Sequence, residues 1–183
     1  MRVLVAEKCG FCHGVRNAIS VAEKILAAEK EVYSLGSIIH NKDVVDRLAK
    51  SGLKTVGDVQ EIHSGTVLIR SHGAAPDQVA RLKEKGLNIV DATCVLVKRV
   101  QHIAAELERD GYKVVIIGEE NHPEVRAVVG CAKDVVVIAD ESDMHKLPMN
   151  AKLGVVCQTT QDTQYVGRML GAIGRGTFSE LKV

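Results

Sequence analysis

Tryptophan is absent from this 183-residue chain, and aromatic residues of all kinds make up only 3% of it. A core without large rings is filled by Val, Ile, Leu and Ala. That favours helices packed on sheets and leaves no stacking platform for nucleic-acid bases. A surplus of one charge is lacking too: Lys+Arg 24 against Asp+Glu 23 leaves a net +1. There is then no basic field to attract nucleic acid or an anionic membrane. No apolar run approaches the roughly 20 residues that a bilayer-spanning helix needs. The opening MRVLVAEKCG is too short in apolar residues to read as a secretory signal. Three Pro and 16 Gly are too few for a disordered or collagenous chain. What remains is the composition of a globular protein, 46% apolar and 26% charged. At roughly 150 residues per domain, the length allows one domain or two small ones. The expected setting is cytoplasmic. There the odd set of five thiols (Cys9, Cys12, Cys94, Cys131, Cys157) stays reduced and points to metal binding or reactivity, not to a disulfide framework.

Short β-branched runs alternate with amphipathic stretches. Strands are expected at Arg2–Ala6, Glu31–Ser34, Thr66–Arg70, Asn88–Asp91, Lys113–Gly118, Val135–Ala139 and Leu153–Cys157, with a strand-like run again at Phe178–Val183. Val15, Ile19, Ala22, Ile25 and Leu26 line one helical face, and Val97, Val100, Ile103, Ala104 and Leu107 another. Shorter helices are expected at Asp43–Lys50 and Asp77–Lys85, and a later one at Asp162–Ile173. Strand–helix alternation implies an α/β fold of mostly parallel sheets flanked by helices, here in two units of similar size.

In open α/β sheets ligands gather beyond the carboxyl ends of the strands. The segments after the expected strands are chemically rich: Cys9-Gly10-Phe11-Cys12-His13-Gly14, then His40-Asn41, Ser71-His72-Gly73, Thr93-Cys94, His122-Pro123-Glu124 and Gln158-Thr159-Thr160. Cys12 and Cys94 each sit at a helix start, where the dipole favours the thiolate that binds iron–sulfur clusters or zinc. One such cysteine reads best as a small buried hydrophobe; two in matching positions favour ligation. Cys9-x-x-Cys12-His13 also fits a c-type haem attachment, a redox dithiol or half a zinc site. Haem attachment conflicts with the missing export signal, and a dithiol leaves Cys94 and the histidines without a role. His40, His72 and His122 stand at loop–helix junctions suited to phosphate or diphosphate. Glu124 fits a helix first turn, or a proton donor near a bound substrate. Thr159 with Asp162 fits a capping box, or a hydroxyl facing the site.

Gly10-Phe11-Cys12-His13-Gly14-Val15, His40-Asn41, Ser71-His72-Gly73, Asp91-Ala92-Thr93-Cys94, Gly118 with His122-Pro123-Glu124-Val125, and Gln158-Thr159-Thr160 occur in order. This series resembles the motifs of the 4-hydroxy-3-methylbut-2-enyl diphosphate reductases, which act last in the methylerythritol phosphate route to isoprenoids. The resemblance implies three α/β domains around a [4Fe-4S] cluster held by three cysteines, of which Cys12 and Cys94 match two. It implies reductive removal of the substrate's hydroxyl as water, giving isopentenyl and dimethylallyl diphosphate. His40, His72 and His122 match the diphosphate-binding histidines, Glu124 the proton-delivering glutamate, and Thr159 the site threonine. The implied partners are the allylic diphosphate and a reduced ferredoxin or flavodoxin, in a bacterial cytoplasm.

The chain departs from the family pattern in the third cluster cysteine, the later Ser-x-Asn motif and final serine, which are missing, and in Val95, which stands where Pro is usual. The expected organisation is therefore residues 1–13 as strand and cluster loop of a missing third domain, 14–94 as a first α/β domain, and 95–183 as a second. A fragment of this kind is expected to hold a cluster weakly and turn over little or nothing. The alternatives are a noncatalytic diphosphate-binding remnant and a dithiol redox protein using Cys9 and Cys12.

Overall fold

The Val- and Ile-rich runs form strands in two separate four-stranded sheets. The structure is a computed structural model that describes residues 2–7 and 9–183. In the first sheet β1 (Val32–Leu35), β2 (Leu53–Val56), β3 (Thr66–Ile69) and β4 (Asn88–Asp91) lie in the order β2-β1-β3-β4, every pair parallel. In the second, β5 (Lys113–Ile117), β6 (Val135–Ile138), β7 (Lys152–Cys157) and β8 (Glu180–Lys182) lie in the order β6-β5-β7-β8, again all parallel. The two sheets thus repeat one topology. Each has a switch point, between β1 and β3 and between β5 and β7, where successive connections leave in opposite directions. Ligand crevices of open parallel sheets form at such points.

Helix α1 (His13–Ala28) precedes β1, and α2 (Lys42–Lys50), α3 (Pro76–Glu84), α4 (Val95–Arg109), α5 (Pro123–Val129) and α6 (Thr163–Ile173) lie between strands. α1 buries Ala18, Ile19 and Ala22 against Val32, Leu53 and Leu68. In the second sheet the strand period of two separates two cores. Val114, Ile116 and Val156 face Ala104 and Leu107 of α4, while Val115, Ile117 and Val155 face Met169 and Ile173 of α6. Burying each of the Val, Ile, Leu and Met side chains stabilises the fold by about 1.5–3 kcal/mol. Strands covered on both faces read as unbroken apolar runs, which is why VVII and LGVVC were legible as strands.

The molecule divides into two compact units. One holds the chain up to Ser71 together with Leu87–Cys94, the other His72–Gly86 with Val95–Val183. The sequence boundary at 94 kept α3 with the first domain, whereas the structure groups it with the second. The reason is local packing: a Cβ on Gly130, just past α5, would lie 2.6 Å from Ala75 Cβ, and Gln101 Nε2 of α4 donates to the Ala74 carbonyl at 3.4 Å.

Two element expectations are corrected. Arg2–Ala6 forms no strand; Val3, Leu4 and Val5 are 69%, 78% and 78% exposed. β propensity alone does not make a strand without a neighbouring backbone to pair with. Conversely β2, unanticipated, exists because β1 supplies that neighbour. Lys54 and Thr55 are exposed there, so its apolar signal is weak.

Candidate functional site

The switch point of the second unit carries a network of buried polar groups. β5 ends at Ile117, and Gly118 comes next with no room for a side chain: a Cβ would lie 2.9 Å from Val125 Cγ2 and 3.0 Å from Gln158 Cβ and Oε1. Gln158, 5% exposed, joins the two loops. Its Oε1 accepts from the Glu119 N–H at 3.1 Å, and its Nε2 donates to Thr160 Oγ1 at 2.8 Å. His122 caps α5, with Pro123 at the first helical position. Its Nδ1 accepts from the Glu124 N–H at 3.2 Å. The neutral ring then carries its proton on Nε2 as a donor.

Glu124 is 1% exposed. Both carboxylate oxygens are engaged by one residue across the switch point: the Thr159 N–H reaches Oε1 at 2.6 Å and the Thr159 hydroxyl reaches Oε2 at 2.9 Å. A buried carboxylate needs such donors, because an unpaired one is heavily penalised. The capping-box account of Thr159 is corrected. Asp162 itself caps α6, accepting from Gln164 and Tyr165 N–H at 2.9 and 3.1 Å, which leaves Thr159 to Glu124. His72, half-buried, meets His122 edge to face, with centroids 5.4 Å apart and planes at 88°. Nitrogens of the two rings lie within 4.8 Å of each other.

In the first unit Cys94 lies three residues past β4 and immediately before α4. Its N–H donates to the Ser71 carbonyl at 2.9 Å, Ser71 Oγ donates to the Ile38 carbonyl at 3.1 Å, and the Thr93 N–H donates to Asp91 Oδ1 at 2.9 Å. These bonds tie Cys94 to the β1/β3 switch point. Cys12 is the N-cap of α1, exposed, with no side-chain capping bond; contrary to expectation, no strand precedes it among the described residues. The Cys94 sulfur rests against Gly14, two residues on from Cys12. The two cysteines therefore converge on the first turn of α1. His40 is exposed and directly precedes Asn41, whose Oδ1 caps α2 by accepting from the Val44 N–H at 3.0 Å.

Cys131 and Cys157 have a different character. Burial pushes the Cys131 thiol up, and its Sγ donates to the Ala127 carbonyl at 3.3 Å. Burial, and then the charge of Glu124, pushes the Cys157 thiol up. By donor chemistry Cys12 and Cys94 fit an iron–sulfur cluster: two thiols beside helix N-termini, on one unit, brought to one helix turn. Sequence reasoning missed Gln158 as the joint between the loops and Gly14 as a contact; neither a neutral amide nor a glycine carries a chemical signal of its own.

Comparison with known proteins gives a consistent picture. The family model described as LytB protein matches residues 3–183. A 4-hydroxy-3-methylbut-2-enyl diphosphate reductase of Pelobacter propionicus is 43% identical over 162 residues, covering 88% of this chain and 58% of that protein. The protein of the same name from Alkaliphilus oremlandii is 38% identical, covering 100% of this chain and 66% of its own length. A solved structure of (E)-4-hydroxy-3-methyl-but-2-enyl diphosphate reductase, described as the terminal enzyme of the non-mevalonate pathway, superposes with a TM-score of 0.85 at 38% identity. It is covered over 66% of its chain, and 99% of this one is used. The chain thus spans less than two thirds of the length of these relatives.

Proposed function

This chain belongs to the LytB protein family, and on that premise we propose that it serves the reductive dehydroxylation of 4-hydroxy-3-methylbut-2-enyl diphosphate. Two electrons and two protons replace the C–O bond by C–H and release the hydroxyl as water, giving isopentenyl and dimethylallyl diphosphate. The observation that carries the reading is the Glu124–Thr159 pair: a carboxylate 1% exposed, both oxygens held, beside an imidazole cap.

Cys12 and Cys94 would hold a [4Fe-4S] cluster, which when bound would supply the electrons and Lewis acidity toward the substrate hydroxyl. The chain's own residues do the rest. The anionic diphosphate needs donors, and the Nε2–H of His122 together with the His72 ring provides them. The same role for His40 rests on the family resemblance. Glu124 would pass a proton to the departing hydroxyl, and the Thr159 hydroxyl, which donates to its Oε2, orients the carboxyl group. A reduced ferredoxin or flavodoxin is the proposed electron donor, and the cytoplasm the proposed setting; among the described residues no helix is long and apolar enough to cross a membrane.

The test is anaerobic reconstitution of the 183-residue chain with iron and sulfide, then turnover of the allylic diphosphate with a chemically reduced viologen. Cluster uptake, even partial, that depends on both Cys12 and Cys94 supports the proposal, and whatever conversion the chain shows should be lost in Glu124→Gln. Uptake equal to the parent's in the Cys12→Ser and Cys94→Ser chains would refute it.

A further inference from the structure

We infer that Gly14 is a positioning residue for the Cys94 sulfur: it keeps the first turn of α1 bare so that the thiol can lie against it. The functional consequence rests on the proposal that Cys94 is a cluster ligand; the contact itself does not.

Gly14 is the second residue of a 16-residue helix and is buried. Glycine is a poor helix former, so a local reason for it is needed. Backbone conformation is not that reason. Gly10 has a φ of +98° and Gly36 one of +75°, but Gly14 is not among the glycines of positive φ. Space is the reason. A Cβ at position 14 would lie 2.7 Å from Cys94 Sγ and 3.0 Å from Cys94 Cβ, and both contacts are to this one side chain. By contrast, a Cβ on Gly10 would meet nothing within 4 Å.

Cys94 has little freedom to retreat. Its N–H is held by the Ser71 carbonyl at 2.9 Å, and the preceding turn is closed by Asp91 Oδ1 on the Thr93 N–H at 2.9 Å. A methyl group at position 14 therefore turns the Cys94 side chain to another rotamer and swings the sulfur away. What it leaves is the start of α1, where N–H groups have no intrahelical acceptor and the dipole favours negative sulfur. Cys12 caps the same turn. Gly14 thus sets the separation of the two proposed ligands, a fine adjustment of the kind that groups around a metal site commonly supply.

Two readouts test this on the 183-residue chain. The first is a melting cycle on the parent, Gly14→Ala, Cys94→Gly and the double variant. Gly14→Ala should lower Tm by about 4 °C in the parent, through overpacking. In the Cys94→Gly background it should leave Tm unchanged or raise it, because alanine is the better helix former. If the glycine variant does not fold, Cys94→Ala replaces it: this removes the sulfur contact but keeps the Cβ contact at 3.0 Å, so the Tm loss from Gly14→Ala should shrink there without vanishing. The second readout is iron and acid-labile sulfide per chain at limiting iron, with the absorption and EPR spectra of the product. Loading should fall ~10-fold in Gly14→Ala. An equal Tm change in both backgrounds overturns the inference, and so does full loading of Gly14→Ala with the parent spectra. A parent chain that takes up no iron and sulfide refutes the ligand proposal instead, and the melting cycle still decides the contact.

Discussion

Thr159 donates twice to Glu124, through its backbone N–H to Oε1 at 2.6 Å and through its hydroxyl to Oε2 at 2.9 Å. One residue, two positions past β7, thereby satisfies a buried carboxylate on α5. Thr159→Val keeps the shape and the N–H but strips Oε2 of its donor. Stability should fall by about 1–3 kcal/mol, the usual loss when a buried charged group is left short of a hydrogen bond. Thr159→Ser should stay within about 0.5 kcal/mol. Urea unfolding distinguishes the two, and equal losses from Val and Ser would mean that the hydroxyl does not support Glu124.

The Cys157 thiol is pushed up first by burial and second by the Glu124 charge. Alkylation by iodoacetamide needs the thiolate, so Cys157 should react only well above neutral pH. Glu124→Gln removes the smaller cause. The pH midpoint of Cys157 alkylation, tracked by peptide mass spectrometry, should then move down without reaching the range of an unburied cysteine. A midpoint indifferent to Glu124 would separate the two groups.

Helix α4 lies so close to the second sheet that a Cβ on Gly154 of β7 would be 2.8 Å from both methyl carbons of Leu107. Gly154→Ala should cost about 1–3 kcal/mol by overpacking. Combining it with Leu107→Ala should cost clearly less than the sum of the two single changes, because each relieves the other. Additive losses would contradict the close approach.

On β8, hydrogen bonding by Tyr112 and Lys152 holds the Glu180 carboxyl below the usual carboxylate range, and Lys152 Nζ is 2.9 Å from it. A carboxyl lowered in the folded state stabilises above its unfolded pKa of about 4.3, and that contribution disappears as pH falls through the lower folded value. The group is exposed, so the effect is small. Glu180→Gln should flatten the fall of Tm with acidification below that range and leave the neutral-pH slope unchanged. An unaltered acid limb would show that the interaction is absent in solution.

The exposed Val3, Leu4 and Val5 make no strand. Leu4→Asn should change stability by no more than about 0.5 kcal/mol, as at other exposed positions. A larger loss by calorimetry would indicate that the segment is buried in solution.

Much of this molecule is legible in one dimension. Periodicity exposes α1 and α4, unbroken Val–Ile runs expose β5 and β7, and His122-Pro123 marks the start of α5, because these signals depend on neighbours a few residues away. Chemistry-bearing residues after each strand are legible too, since the chain must leave a parallel sheet at its carboxyl edge. Pairing was not legible: Leu53–Val56 became a strand and Arg2–Ala6 did not, although the second is the more apolar. Nor did the sequence show that Thr159 serves Glu124, 35 residues away, while Asp162 caps the helix. Residue types and local periods are properties of a short stretch of chain. Which strand has a partner, which hydroxyl meets which carboxylate, and why position 14 must be bare depend on distances between distant stretches, and only the packed chain sets those.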